Sequence, residues 1–191
     1  YNTDSPLIKL IKKRRIPHQI VKDKKLNNCK DVFNEYNPDF LVACGWGWKI
    51  PQEIIAIPKI GALNCHSSFL PDYKGGSVYQ HYWANCEEEA GATIHYLEKE
   101  FDLGNIVAQQ RMKIFSNDTP NTILWRTSEL TASLLRESIL LCLTGYKGMP
   151  QSGGRYFYKI NNRKLIVHRL YNRLAKYFGY SRKFTSHKNI K

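Results

Sequence analysis

No stretch of the 191-residue chain approaches the 18 or so uncharged apolar residues that span a bilayer, which argues against a transmembrane helix. The opening residues, YNTDSPLIKLIKKRR, lack the apolar core and small-residue cleavage site of a secretory signal. They also lack an initiator Met, so the chain is expected to begin part-way through its gene product. Cysteine is sparse: Cys29, Cys44, Cys65, Cys86 and Cys142 are odd in number and include no C-x-x-C pair. That excludes a disulfide frame and a thiolate zinc site as organising devices, and points to reduced thiols in the cytoplasm. Acid is missing altogether from residues 151–191, which carry eleven Lys/Arg.

What is present is an uneven charge on a chain long enough for one core. Residues 1–30 carry nine Lys/Arg against two acids, and residues 31–150 nine against fourteen. A mildly acidic body with basic ends suits a catalytic domain over residues 1–150. Residues 151–191 are then a tail that either faces an anionic partner or only solubilises the protein.

Apolar spacing predicts an α/β domain. Ser5 or Asp4 caps a helix with Pro6 in its first turn and a stripe of Leu7, Ile8, Leu10 and Ile11. A short strand is expected over residues 18–21 and a helix over 29–36. The run FLVAC, residues 40–44, predicts a strand buried on both faces. Further helices are expected over 51–57 and 78–85, further strands over 61–65, 92–97 and 106–114. The longest helix runs from Pro120 to about Leu143, with Gly145 beyond its end. Strands alternating with helices imply a doubly wound, mostly parallel, Rossmann-like sheet.

Ligands of such sheets bind beyond the carboxyl ends of the strands. The stretch GALNCHSSFLPDYKGG ends a strand there. Alternation puts Asn64 and His66 on one side and Cys65 on the other, which disfavours a Cys65–His66 nucleophile pair. An amide beside an imidazole polarises a carbonyl: the Asn donates to developing oxyanion charge and the His moves protons. Such a His needs a carboxylate, and Asp102, in a loop tightened by Gly104, is the candidate. The plainer alternative, a turn-forming Asn and a satisfied His, stays open on spacing alone.

The segments NCHSSFLPDYKGG and GATIHYLEKEFDLGNIV together resemble the formyltetrahydrofolate-dependent formyltransferase family, closest in type to its sugar-nucleotide N-formyltransferases. The family pattern N-x-H-x-S-x-L-P, a K/R-G turn, G-x-T-x-H and x-D-x-G is met by Asn64, His66, Ser68, Leu70, Pro71, Lys74, Gly75, Gly91, Thr93, His95, Asp102 and Gly104. The likeness covers roughly residues 1–145 and implies Asn64, His66 and Asp102 as catalytic residues. It implies 10-formyltetrahydrofolate as formyl donor, with no metal. The pterin pocket would be built by Trp46, Gly47, Trp48, Lys49, Ile50, Phe101, Leu103 and Gly104. Ser68, Tyr73, Lys74, Gly75, Tyr79 and His95 stand where an acceptor enters, with Lys74 suited to a phosphate.

Two features depart from the family. Its opening strands have no counterpart before the helix at Pro6, so unpaired strand edges are expected. The tail is also shorter than the basic domain of methionyl-tRNA formyltransferases. Residues 155–167 are expected to form a β-hairpin like the one by which sugar-nucleotide formyltransferases dimerise. Val167, Leu170, Tyr171, Leu174, Tyr177 and Phe178 then recur at helical spacing among Lys and Arg, for packing, dimerisation or an anionic membrane. The acceptor expected is the amine of a nucleotide-linked amino sugar. A hydrolase or ribonucleotide transformylase of the same chemistry, and a nucleic-acid-binding module on a borrowed fold, are the alternatives.

Overall fold

The computed structural model describes residues 5–179. Asp4 of the expected cap and residues 180–191 of the tail lie outside them. In chain order the elements are α1 (Pro6–Lys13), α2 (Lys30–Tyr36), β1 (Phe40–Cys44), α3 (Gln52–Ile55), β2 (Gly61–His66), β3 (Lys74–Gly75), α4 (Val78–Ala84), β4 (Glu89–Tyr96), β5 (Ile106–Lys113), α5 (Pro120–Leu143), β6 (Tyr156–Phe157) and α6 (Asn162–Tyr177).

The main sheet has the order β1-β2-β4-β5. The α/β class holds, but the expected mostly parallel pairing is met only between β1 and β2; β2–β4 and β4–β5 are antiparallel. The reason is in the connections. Residues 97–105 between β4 and β5 contain no helix, and a short connection permits only an antiparallel return. Helix α4 packs chiefly on α5 and α6 and does not cross the sheet face.

Helix α5 covers one face of the sheet. Thr119 and Thr122 cap it reciprocally, with Pro120 in the first turn. Its buried stripe is Ile123, Thr127, Thr131, Leu134, Ser138 and Cys142. Three of these are hydroxyl residues, tolerated because each bonds back along the helix: Thr127 to Ile123 O, Thr131 to Thr127 O, Ser138 to Leu134 O. Leu134 and Cys142 meet Leu63, Ala92, Ile94 and Val107 in the main core.

Two expectations fail. Residues 18–21 form no strand; they follow Pro17 and pair with nothing in the sheets. No β-hairpin forms over residues 155–167. The two-residue β6 runs parallel to β3, pairing Lys74 with Tyr156 and Gly75 with Phe157. Asn161 then accepts from the Lys164 N–H at 2.9 Å, so the supposed hairpin turn is a helix N-cap and residues 164–167 lie in α6. A dimer built on that hairpin loses its basis. On the outer side of β1 no strand pairs among the described residues, and α1 buries none of its residues.

Candidate active site

Register brings the expected residues together. Asn64 lies opposite His95 across the β2–β4 pair, and His66 opposite Thr93. The β4–β5 register slips between Ile94 and His95: Ile94 pairs with Ala108 but His95 with Ile106. Such an irregularity re-aims a side chain. His95 is buried, 3.0 Å from the Asn64 Nδ2 and 3.5 Å from Asp102 Oδ1 through its Nε2. Its Nδ1 lies 2.8 Å from Tyr96 O, and a carbonyl only accepts, so Nδ1 carries a proton. Nε2 is therefore the ring nitrogen that accepts the Asn64 amide.

His66 is fixed in the opposite sense. Its Nε2 donates to Tyr73 O at 2.9 Å, which leaves Nδ1 facing Asp102 Oδ1 at 3.7 Å. Ser68 Oγ donates to the same carbonyl. Burial lowers the His66 pKa, against the upward pull of Asp102 and of the Tyr73 carbonyl. His66 is thus neutral at rest, with the Nδ1 lone pair free to take a proton.

Asp102 closes the cluster from the β4–β5 loop, in a left-handed conformation at φ 54°. Its Oδ2 accepts from the Gly75 N–H at 2.7 Å, while Oδ1 lies 3.4 Å from Asn64 Nδ2. Burial works to raise its pKa, but its neighbours His95 and His66 and the Gly75 amide outweigh that and hold it below the ordinary carboxylate value. The loop is pinned from several sides. A Cβ on Gly104 would sit 1.8 Å from Tyr96 O, so only glycine fits. Gln151 Nε2 donates to Asp102 O and Gly104 O at 3.1 and 2.7 Å, and Tyr156 Oη to Phe101 O at 2.7 Å. Sequence reasoning missed Gln151 and Tyr156. Both come from about 50 residues downstream, and only the fold reveals the contact.

Beside this cluster two loops face one another. Lys49 Nζ meets Glu100 Oε2 at 2.7 Å and stands over the Phe101 ring. Trp48, Phe101 and Leu103 remain exposed there, and Trp46 meets Trp48 edge-on. The Trp46 Nε1 is buried with no hydrogen-bond partner. Gly47 has open space around it, and Ile50 packs inward with Leu41 and Ile54. Exposed aromatic and apolar side chains with a spare indole donor fit a flat, polar-edged heterocycle such as a pterin.

The expected acceptor-side residues turn out differently. Lys74 is buried, its ammonium donating to Gly153 O at 2.7 Å, so it does not offer a free phosphate contact. Burial lowers its pKa. Tyr73 is stacked between Tyr82 and Phe157, and Ser68 is fully enclosed. Tyr79 packs half-buried against the same aromatic cluster. These four hold the turn after β2 in place; His95 and Gly75 touch Asn64 and Asp102 themselves. Cys65 points to the main core and faces Cys44 across β1–β2; hydrogen bonding with Cys65 lowers the Cys44 thiol to about 7. Among the described residues no group of three or more His, Cys, Asp or Glu side chains is placed so as to hold a metal ion. A groove lined by Phe69, Asp72, Glu89 and Arg111 includes none of Asn64, His66 or Asp102.

Comparison with known proteins adds a family. The model described as formyl transferase matches residues 3–139. Methionyl-tRNA formyltransferase of Staphylococcus aureus (strain JH1) is 32% identical over 165 residues, 85% of this chain and 52% of that protein. The chain thus spans about half the length of the curated relatives it matches. The formyltransferase PseJ from Anoxybacillus kamchatkensis, solved in complex with UDP-4,6-dideoxy-4-formamido-L-AltNAc and tetrahydrofolate, has a TM-score of 0.59 at 27% identity, covering 79% of this chain and 76% of that one. Phosphoribosylglycinamide formyltransferase from Anaplasma phagocytophilum shares the fold, with a TM-score of 0.68 at 21% identity over 83% of this chain and 80% of that one.

Proposed function

The chain belongs to the formyl transferase family, and from that premise we propose that it moves a formyl group from 10-formyltetrahydrofolate to the primary amine of a nucleotide-linked amino sugar. The observation that carries the transfer is the convergence of Asn64, His66 and Asp102 from a strand and a loop, with Asp102 ionised and His66 neutral. When bound, 10-formyltetrahydrofolate supplies a formyl carbon activated as an N10 amide. Trp46, Gly47, Trp48, Lys49, Ile50, Phe101, Leu103 and Gly104 would hold its pterin end.

The chain's own groups then divide the work. Asn64 has two amide N–H groups. One is committed to His95 Nε2 at 3.0 Å, and the other is only loosely held by Asp102 at 3.4 Å. That second N–H is the donor for a carbonyl oxygen gaining negative charge. His66 Nδ1 accepts the proton of an attacking amine and returns it to N10 as the bond between N10 and the formyl carbon breaks and tetrahydrofolate leaves. Asp102 stabilises the imidazolium this creates, in a site where burial strengthens the attraction. The 3.7 Å gap between His66 and Asp102 is a resting geometry that tightens, or takes one water, when the site is occupied.

For the acceptor, the support is the likeness to PseJ, whose complex holds a UDP-linked formamido sugar. A second reading has its own support: 32% identity to a methionyl-tRNA formyltransferase favours an aminoacyl-tRNA amine. Both are tested by one assay, tetrahydrofolate formation followed by absorbance with nucleotide-linked amino sugars, glycinamide ribonucleotide, methionyl-tRNA or no acceptor. Turnover with a sugar nucleotide alone supports the first reading. Turnover with charged tRNA, or without acceptor, replaces it with the transfer-RNA or hydrolase activity.

A further inference from the structure

Helix α6 is docked with its polar side inward. At about 100° per residue, Leu165, Arg169, Asn172 and Lys176 fall on one side of the helix. These meet the end of α4. Arg169 Nη1 donates to Trp83 O at 2.6 Å, Asn172 Nδ2 to Ala84 O at 3.0 Å, and Lys176 Nζ to Cys86 O at 2.5 Å. The last carbonyls of a helix have no partners within it and carry its negative dipole end, so cationic and amide donors satisfy them well. Arg169 also stacks over the Trp83 ring at 4.1 Å. Leu165 and Asn172 are the only buried residues of the helix.

The apolar side consequently faces outward. Ile166, Val167, Leu170, Tyr171, Leu174, Tyr177 and, just past the helix, Phe178 are 52%, 66%, 57%, 52%, 62%, 84% and 69% exposed. On the helical wheel their arc is centred roughly opposite the docked side, with Lys164 at one edge, Arg173 at the other and Arg163 inside it in the first turn. Amphipathic helices of globular domains normally turn the apolar stripe to the core. Here two hydrogen bonds to the end of α4 and one to Cys86 just beyond it hold it the other way, so the exposed stripe is a fixed feature of the fold and larger than scattered surface leucines explain.

We propose that the outward face of α6 is a membrane-surface site that lies on anionic phospholipid. Charge selects this occupant. Residues 151–191 contain eleven Lys/Arg and no Asp or Glu, which complements a phosphatidylserine-type surface. A second copy of the same face brings like charges together and offers no acid to meet them. Aromatic residues at the end of the stripe, Tyr171, Tyr177 and Phe178, suit the interfacial zone between headgroup and acyl chain. The site is independent of the formyl-transfer reading and requires no change at Asn64, His66 or Asp102.

The test is co-sedimentation of the whole chain with phosphatidylcholine vesicles, with and without phosphatidylserine. Binding to the anionic vesicles, weakened by added salt, is expected. The double substitution Leu170→Asp and Leu174→Asp should lower the partition coefficient on the order of a hundredfold. Lys164→Gln and Arg173→Gln should each lower it about fivefold. All four side chains point away from the body, so thermal melting should be unchanged. Should the aspartates disturb folding, Val167→Ser and Tyr177→Ser serve as the milder pair. Three outcomes would overturn the proposal: no sedimentation with anionic vesicles, binding indifferent to the apolar substitutions, or a dimer or nucleic-acid complex that uses the same side chains instead.

Discussion

At the level of single residues, the cluster depends on protonation states that the surroundings set. Asp102 accepts an amide N–H at 2.7 Å and faces two histidines, so Asp102→Asn removes the charge while keeping the shape. Turnover is expected to fall by about a hundredfold to ten-thousandfold, with a modest drop in melting temperature at neutral pH, when steady-state rates and thermal denaturation are measured together. The pH dependence follows from two lowered pKa values. For activity, His66 must be neutral, so the acid limb of the rate profile is expected below the ordinary imidazole value of about 6.5. For stability, both groups have folded pKa values below their unfolded ones. Their contribution is present above the unfolded values and lost as pH falls through the folded ones, first for His66 below about 6.5 and then for Asp102 below about 4. Melting temperature against pH should therefore decline on the acid side in two stages, the lower one missing in Asp102→Asn. That Asn64, His66 and Asp102 come together was legible from alternation and motif spacing. The tautomer-fixing contacts of His66 with Tyr73 O and of His95 with Tyr96 O were not, because backbone carbonyls leave no mark in side-chain identity.

Among the elements, local signals were reliable where one segment decides its own structure. The Pro120 start of α5, its end near Leu143 and the strand over residues 40–44 follow from caps and apolar runs. They failed where a distant partner decides. Residues 155–167 have the composition of a hairpin, yet β6 is recruited by β3 from about 80 residues earlier and Asn161 caps a helix. Lys74 looks like a surface cation until the chain around Gly153 folds over it. The same long-range contacts position the Asp102 loop, which gives an element-scale prediction. Tyr156→Phe deletes the bond to Phe101 O and should cost about 1 kcal/mol of stability, with a raised KM for the formyl donor and a smaller change in kcat. Gly104→Ala has no room beside Tyr96 O and should displace the loop, lowering kcat far more than Tyr156→Phe does. Kinetics of the two variants side by side check this ordering.

On the scale of the whole molecule, two faces are built to opposite rules. One end collects residues from β2, β4 and the β4–β5 loop around a buried carboxylate, whose charge is held by hydrogen bonds within the cluster. Helix α6 instead carries unbalanced positive charge and an outward apolar stripe, held by the carbonyls that end α4. Removing that hold by Arg169→Ala should cost about 1.5–3 kcal/mol, as expected for a charge-assisted bond, and loosen α6 before the sheet melts. Hydrogen exchange that reports α6 amides opening earlier than those of β4 would bear this out. The central claim concerns the other face. Its most direct test is tetrahydrofolate formation from 10-formyltetrahydrofolate by the unaltered chain and by His66→Ala and Asp102→Asn, each with its best acceptor amine. The account predicts turnover in the first and losses of at least about a hundredfold in both variants. Equal rates in all three would contradict it.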